Sequence, residues 1–218
     1  MPIPTLVLCD DHWHPAATPR AGFAALGEDP FVFDVIEQAS DWSPERMAQY
    51  PLVVLTKSNN YSHQDDSPWV DEAVQLAFRD YVRRGNGLLA VHSGTASYQD
   101  AHILRALLGG VFLSHPPQCP VTIMPKPEHP LCAGVQPYTL TDEHYMMAFD
   151  ATDADVFLTA HSEHGSQPAG WTRHEGAGRV AVLTPSHNLE GWLHPSFQTL
   201  LRNTLHWCNG ATTPAPQT

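Results

Sequence analysis

The chain has 218 residues, 42% of them hydrophobic, which suits a single domain with a full core. It carries 11 Lys and Arg against 23 Asp and Glu, a formal net charge of -12 that argues against general affinity for nucleic acid or an anionic membrane. No run approaches the roughly 20 apolar residues of a membrane span, and Met1-Pro2-Ile3-Pro4 has neither the basic region nor the apolar stretch of a signal peptide. The cysteines Cys9, Cys119, Cys132 and Cys208 are dispersed and form no C-x-x-C pair. They suit neither a disulfide framework nor a thiolate zinc site. Buried free thiols in a cytoplasmic protein are the expectation.

In chain order, Thr5–Cys9 reads as a buried strand, Ala16–Leu26 as a helix and Phe31–Ile36 as a second strand. Ser43-Pro44-Glu45 marks a helix start, with Ser at the N-cap and Pro at the first helical position. Leu52–Thr56 has the continuous apolar character of a central parallel strand. The clearest helix follows. Ser67 reads as its cap and Pro68 as its first residue, with Asp71 and Glu72 near the positive end of the dipole and Arg83 and Arg84 near the negative end. Val70, Ala73, Val74, Ala77, Phe78, Tyr81 and Val82 make one apolar face, and Gly85 ends the helix. Leu88–Val91 is the fourth strand, and Ala101–Leu108 is a helix stopped by Gly109-Gly110.

The prolines at 116, 117, 120, 125, 127 and 130 then exclude a helix. Val121–Met124, Tyr138–Leu140, Val156–Ala160, Gly170–Arg173 and Arg179–Leu183 read as strands, with an irregular segment around Asp142–Met147. The last helix carries Phe197, Leu200, Leu201, Thr204, Leu205 and Cys208 on one face. The Pro/Thr-rich stretch 211–218 reads as a disordered tail, leaving 1–210 as one domain. Alternating βα units predict an α/β fold, a flavodoxin-like three-layer α/β/α arrangement around a mostly parallel sheet.

Fourteen histidines stand out, and several follow a predicted strand. Loops at the carboxyl ends of such strands line the ligand crevice of an open α/β sheet. Imidazole suits metal ligation or proton transfer near neutral pH. Asp10-Asp11-His12-Trp13-His14 follows the first strand, so His12 and His14 are candidate ligands of zinc or manganese. The plainer reading is a polar loop with an Asp helix cap. Ala90–Ala96 is a strand-to-helix turn that presents His92, Ser93 and Gly94. It does not meet the G-x-S-x-G nucleophile pattern, because Val91 and Thr95 replace the two glycines. Capping of a helix start by Ser93 or Thr95 is the alternative there.

Asp142-Glu143-His144-Tyr145 offers Glu143 as a general base, its pKa raised by burial, against the alternative of a solvated charge pair. His187 follows the last strand and faces the same crevice as His92, whereas His115 taken alone is more often structural. His161, His164 and His174 read as surface residues.

Together these blocks resemble the trehalose-utilisation (ThuA-like) family, whose fold is that of class I glutamine amidotransferases. The marks are Gly87-Leu88-Leu89-Ala90-Val91-His92-Ser93-Gly94, Gly109-Gly110-Val111-Phe112 with His115, His129-Pro130, Asp142-Glu143-His144-Tyr145, and Gly178-Arg179-Val180 leading to His187. Amidotransferases of this fold place a cysteine at the elbow after the strand that here ends at Val91. This chain has His92-Ser93 there, so cysteine-based glutamine hydrolysis is disfavoured. The resemblance implies sugar metabolism.

The reading is an enzyme that hydrolyses or isomerises a sugar or keto-sugar, with a divalent metal as candidate cofactor. His92, Glu143 and His187 are its catalytic candidates. Trp13, Ser93, Gly94, His115, Asp142, His144 and Tyr145 are its substrate-binding candidates, and His12 and His14 its metal ligands. A non-catalytic carbohydrate-binding or regulatory domain is the alternative, and a Ser93 hydrolase a third reading. A small carbohydrate is the expected partner, with neither nucleic acid nor membrane. Trp69 and Trp192, read as exposed, point to a homo-oligomer.

Overall fold

Short apolar strands alternating with amphipathic helices can bury both faces of a sheet only if helices cover each side. The computed structural model, which describes residues 1–27 and 29–210, is built this way. The tail at 211–218 lies outside the described residues. The elements are β1 (Ile3–Leu8), α1 (Ala17–Ala24), β2 (Phe31–Ile36), α2 (Pro44–Met47), β3 (Leu52–Leu55), α3 (Glu72–Arg83), β4 (Gly87–Val91), α4 (His102–Leu108), β5 (Gly110–Ser114), β6 (Cys119–Pro125), β7 (Tyr138–Asp142), β8 (Met146–Phe149), β9 (Asp155–Ser162), β10 (Gly165–Glu175), β11 (Gly178–Leu183), α5 (Leu189–Leu193) and α6 (Pro195–Cys208).

Nine strands form one sheet in the order β2-β1-β3-β4-β11-β10-β9-β6-β7. The five strands from β2 to β11 are parallel, and β10, β9, β6 and β7 extend the sheet antiparallel. Side-chain alternation divides the core in two. Val7, Val54, Leu89, Val91 and Leu183 pack on one face against Phe23 of α1, Trp192 of α5 and Phe197, Leu200 and Leu201 of α6. Leu6, Leu8, Val53, Leu55, Leu88 and Val182 pack on the other against Phe78 and Val82 of α3 and Leu104 and Leu108 of α4. Each such side chain contributes roughly 1.5–3 kcal/mol on burial.

Several sequence expectations change. α3 begins at Glu72 with Asp71 as its cap, the carboxylate accepting from Val74 N–H at 2.9 Å. Ser67 does not cap it, because its hydroxyl donates instead to Asp65 Oδ1 at 2.6 Å. Asn59 Oδ1 accepts from the amides of Trp69 and Val70, which keeps that segment out of the helix. Trp69 and Trp192 are 8% and 2% exposed, so they form core rather than an oligomer surface. The segment read as irregular contains β8, which pairs antiparallel with β5 in a separate two-stranded sheet. β10 runs well beyond Gly170–Arg173, and its Pro168 is accommodated where the register with β9 shifts.

Candidate metal centre

Three loops that follow parallel strands meet at one end of the sheet. Each carries a non-glycine residue in the left-handed region: Asp10 (φ 69) after β1, His92 (φ 46) after β4 and Ser186 (φ 82) after β11. Such backbone is costly and clusters at functional sites. The β4 turn is also pressed close, since a Cβ on Gly94 would lie 1.9 Å from the Leu55 carbonyl oxygen. Gly94 therefore lets the elbow sit on β3 and lift His92 over the strand end.

His14, His92, Glu143 and His187 converge there, with donor atoms that all lie within 4.8 Å of one another. His92 Nε2 is 3.3 Å from His187 Nδ1 and 3.4 Å from Glu143 Oε2, and His187 Nδ1 is 3.2 Å from that same oxygen. Two of the three imidazoles are oriented from behind. His14 Nδ1 donates to Asp11 Oδ1 at 2.7 Å, leaving Nε2 for the centre. His92 Nδ1 donates to the Thr184 carbonyl at 2.8 Å, which turns its Nε2 toward the centre, where Tyr145 Oη lies 2.8 Å away. Outer partners of this kind fix the tautomer and direction of metal-ligating histidines.

Two buried carboxylates hold the loops. Asp11 accepts from Trp13, His14 and Ser58 amides, tying the β1 loop to the segment after β3. Burial pushes its carboxyl up, but the hydrogen bond and charge of His14 and the backbone amides bring it to about 2. Asp142 accepts from the amides of Glu143, Ser186 and His187, clasping the end of β7 to the loop after β11. Behind the β1 loop the buried Lys57 ammonium donates to the Asp10 carbonyl.

Burial also raises the Glu143 carboxyl, but hydrogen bonds and charge from His187 and His92 outweigh it and hold it well below the usual carboxylate range. The expected upward shift of Glu143 is thus reversed, because imidazoles surround it. His187 is shifted up by its hydrogen bond to Glu143 against the effect of burial, while burial shifts His14 down. An ionised carboxylate among three imidazoles is a donor set suited to zinc or manganese.

Two cavities flank the cluster. One, of about 180 Å³, is lined by Thr18, Thr56, His92, Ser93, Ser186 and Asn188 and by the apolar Pro15, Pro19, Leu189 and Trp192. The other, of about 360 Å³, is lined by Phe112, His115, Tyr145 and Glu143 among others. Trp13, His14 and His187 line both. A larger cavity of about 570 Å³ lies at the other end of the strands, beside the start of β11. Its Arg173 is paired with Asp153, and its Arg179 donates to the Trp207 carbonyl.

The sequence candidates are therefore distributed unevenly. His14, His92, Glu143 and His187 come together. His115 approaches Glu143, with 3.5 Å between Nε2 and Oε1. His12 is exposed, edge-on to Trp13, and lies outside the cluster. His144 is buried away from the cavities, with its Nδ1 2.6 Å from Ser162 Oγ. Asp142 holds backbone amides, and Ser93 is buried with no hydrogen-bond partner for its hydroxyl among the described residues, so no base activates it as a nucleophile. Asp11 and Ser186 have structural roles that no sequence signal of their own announces, although the run Asp10-Asp11-His12-Trp13-His14 contains the first. All four cysteines are free and buried, and none stands at the elbow.

The family described as "Trehalose utilisation" (ThuA) matches residues 6–208. A ThuA-like protein from Parabacteroides merdae has 19% identity and a TM-score of 0.75, covering 99% of this chain and 93% of that one. Another from Bacteroides uniformis has 20% identity and a TM-score of 0.74, covering 94% and 91%. A GMP synthase protein from Thermoplasma acidophilum has 11% identity and a TM-score of 0.61, covering 96% of each chain, which shows the glutamine amidotransferase-like fold. No curated protein matches. No helix among the described residues is long and apolar enough to cross a membrane.

Proposed function

The chain belongs to the trehalose-utilisation (ThuA) family, and on that premise we propose that it is a metal-dependent enzyme that hydrolyses or isomerises a sugar or keto-sugar. The observation that carries the reading is the cluster of His14, His92, Glu143 and His187, with the His14 and His92 rings already oriented. His14 Nε2, His92 Nε2, His187 Nδ1 and the Glu143 carboxylate hold a zinc or manganese ion. A bound ion supplies Lewis-acid polarisation of a sugar carbonyl, or an activated water, at neutral pH. Trp13 is 69% exposed beside both cavities and gives a face on which a sugar ring stacks.

Elemental analysis of protein purified without chelator tests this. Near-stoichiometric zinc or manganese is expected, lost in His92→Ala and His187→Ala and kept in His12→Ala. Turnover on a panel of keto-sugars is expected to stop with chelator and return with the ion. Protein that neither holds nor takes up either ion overturns the reading. Stoichiometric metal without turnover puts a carbohydrate-binding role in its place.

A further inference from the structure

Lys57 lies just after β3 and is 1% exposed. A buried ammonium is costly, and a methionine would fill similar space without that cost. The acceptors of this ammonium are two carbonyl oxygens, that of Asp10 after β1 and, at 3.4 Å, that of Glu37 after β2. The strand order β2-β1-β3 makes these neighbouring strand ends, so one side chain ties all three. Burial shifts its pKa down, against the charges of Asp11 and Asp10. The backbone of Lys57 is itself fixed, since Tyr98 Oη donates to its carbonyl at 2.7 Å. The next amide, that of Ser58, donates to Asp11 Oδ2 at 2.9 Å.

The carbonyl that Lys57 grips belongs to a residue in costly backbone. Asp10 is left-handed, with φ 69. That turn sets the direction in which the chain leaves β1. Asp11 follows at once, is fully buried, and accepts from His14 Nδ1 at 2.7 Å. The Asp10 carboxylate accepts from the Ala16 amide at 3.0 Å, so the segment that carries His14 is closed at both ends by Asp10.

We propose that Lys57 is a positioning residue of the metal centre, its ammonium holding Asp10 in the left-handed turn from which Asp11 aims His14 at the cluster. Lys57 acts through Asp10 and Asp11 and touches neither ion nor substrate. This rests on the metal reading above and adds a residue to the support behind it.

Titration of the full chain with zinc, in competition with a chromophoric chelator, tests it. Lys57→Met is expected to weaken zinc at least tenfold, the scale of a lost outer partner. Glycine enters the left-handed region without help, so in an Asp10→Gly background the turn needs no holding. There the same Lys57→Met change is expected to cost less than threefold. A merely structural role predicts the same cost in both backgrounds. Equal cost in the two, or no cost in the parent, overturns the proposal and leaves the metal reading standing. Should Lys57→Met not fold, Lys57→Gln, which drops the charge and keeps a donor, carries the same comparison. A parent chain that takes up no zinc overturns the metal reading and the proposal with it.

Discussion

His14 can reach the cluster only through Nε2, because Asp11 holds its other nitrogen at 2.7 Å while anchoring the same loop through three amides. Asp11→Asn keeps the shape and removes the charge. Loss of a carboxylate that orients a ligating imidazole costs about 10–100-fold in metal affinity. That drop is expected in competition with a chromophoric chelator, with His12→Ala unchanged as the comparison. An unchanged affinity in Asp11→Asn would mean that the ring needs no such support. His92 and His187 were legible in the sequence because each lies in the loop after a predicted strand, and strand ends converge, whereas Glu143 stood out only for its neighbours Asp142, His144 and Tyr145. The choice between His12 and His14 was not legible, since residues two apart on a loop have no periodicity to orient them. The direction of the Glu143 shift was hidden for a related reason. Burial can be guessed from apolar neighbours in sequence, but the imidazoles that outweigh it come from residues 92 and 187.

Among the elements, those whose signals are local emerged from the sequence nearly whole. β2 has the expected bounds, and Ser43 caps α2 by accepting from Arg46 N–H at 3.1 Å. α3 shows the limit. Ser67-Pro68 and Asp71-Glu72 are both good starts, and the choice between them falls to Asn59, outside the helical window, which binds the Trp69 and Val70 amides. Asp71→Ala is therefore expected to cost about 1 kcal/mol in urea unfolding. Ser67→Ala is expected to stay within about 0.5 kcal/mol. The reverse ranking would return the helix start to Ser67. β5 and β8 were missed because they pair only with each other across a proline-rich stretch, so neither has a strong local pattern.

At the scale of the whole molecule, the cluster joins distant parts of one chain. His14 comes from the first loop, His92 from the middle, Glu143 from the end of β7 and His187 from the loop after β11. The sheet brings these loops side by side, but the antiparallel half is attached to the site chiefly through Asp142 and Glu143. An ion shared by all four would therefore bind the native state and find no equivalent site in the unfolded chain. Free ion at a hundredfold above its dissociation constant then adds about 2.7 kcal/mol. At about 2–4 °C per kcal/mol for a domain of this size, the midpoint of thermal unfolding should rise by roughly 5–11 °C. Calorimetry of the chelator-treated protein with and without zinc measures this. The same rise is expected in His12→Ala and none in His92→Ala. A rise that survives in His92→Ala would locate the binding elsewhere, on the exposed histidines of the surface.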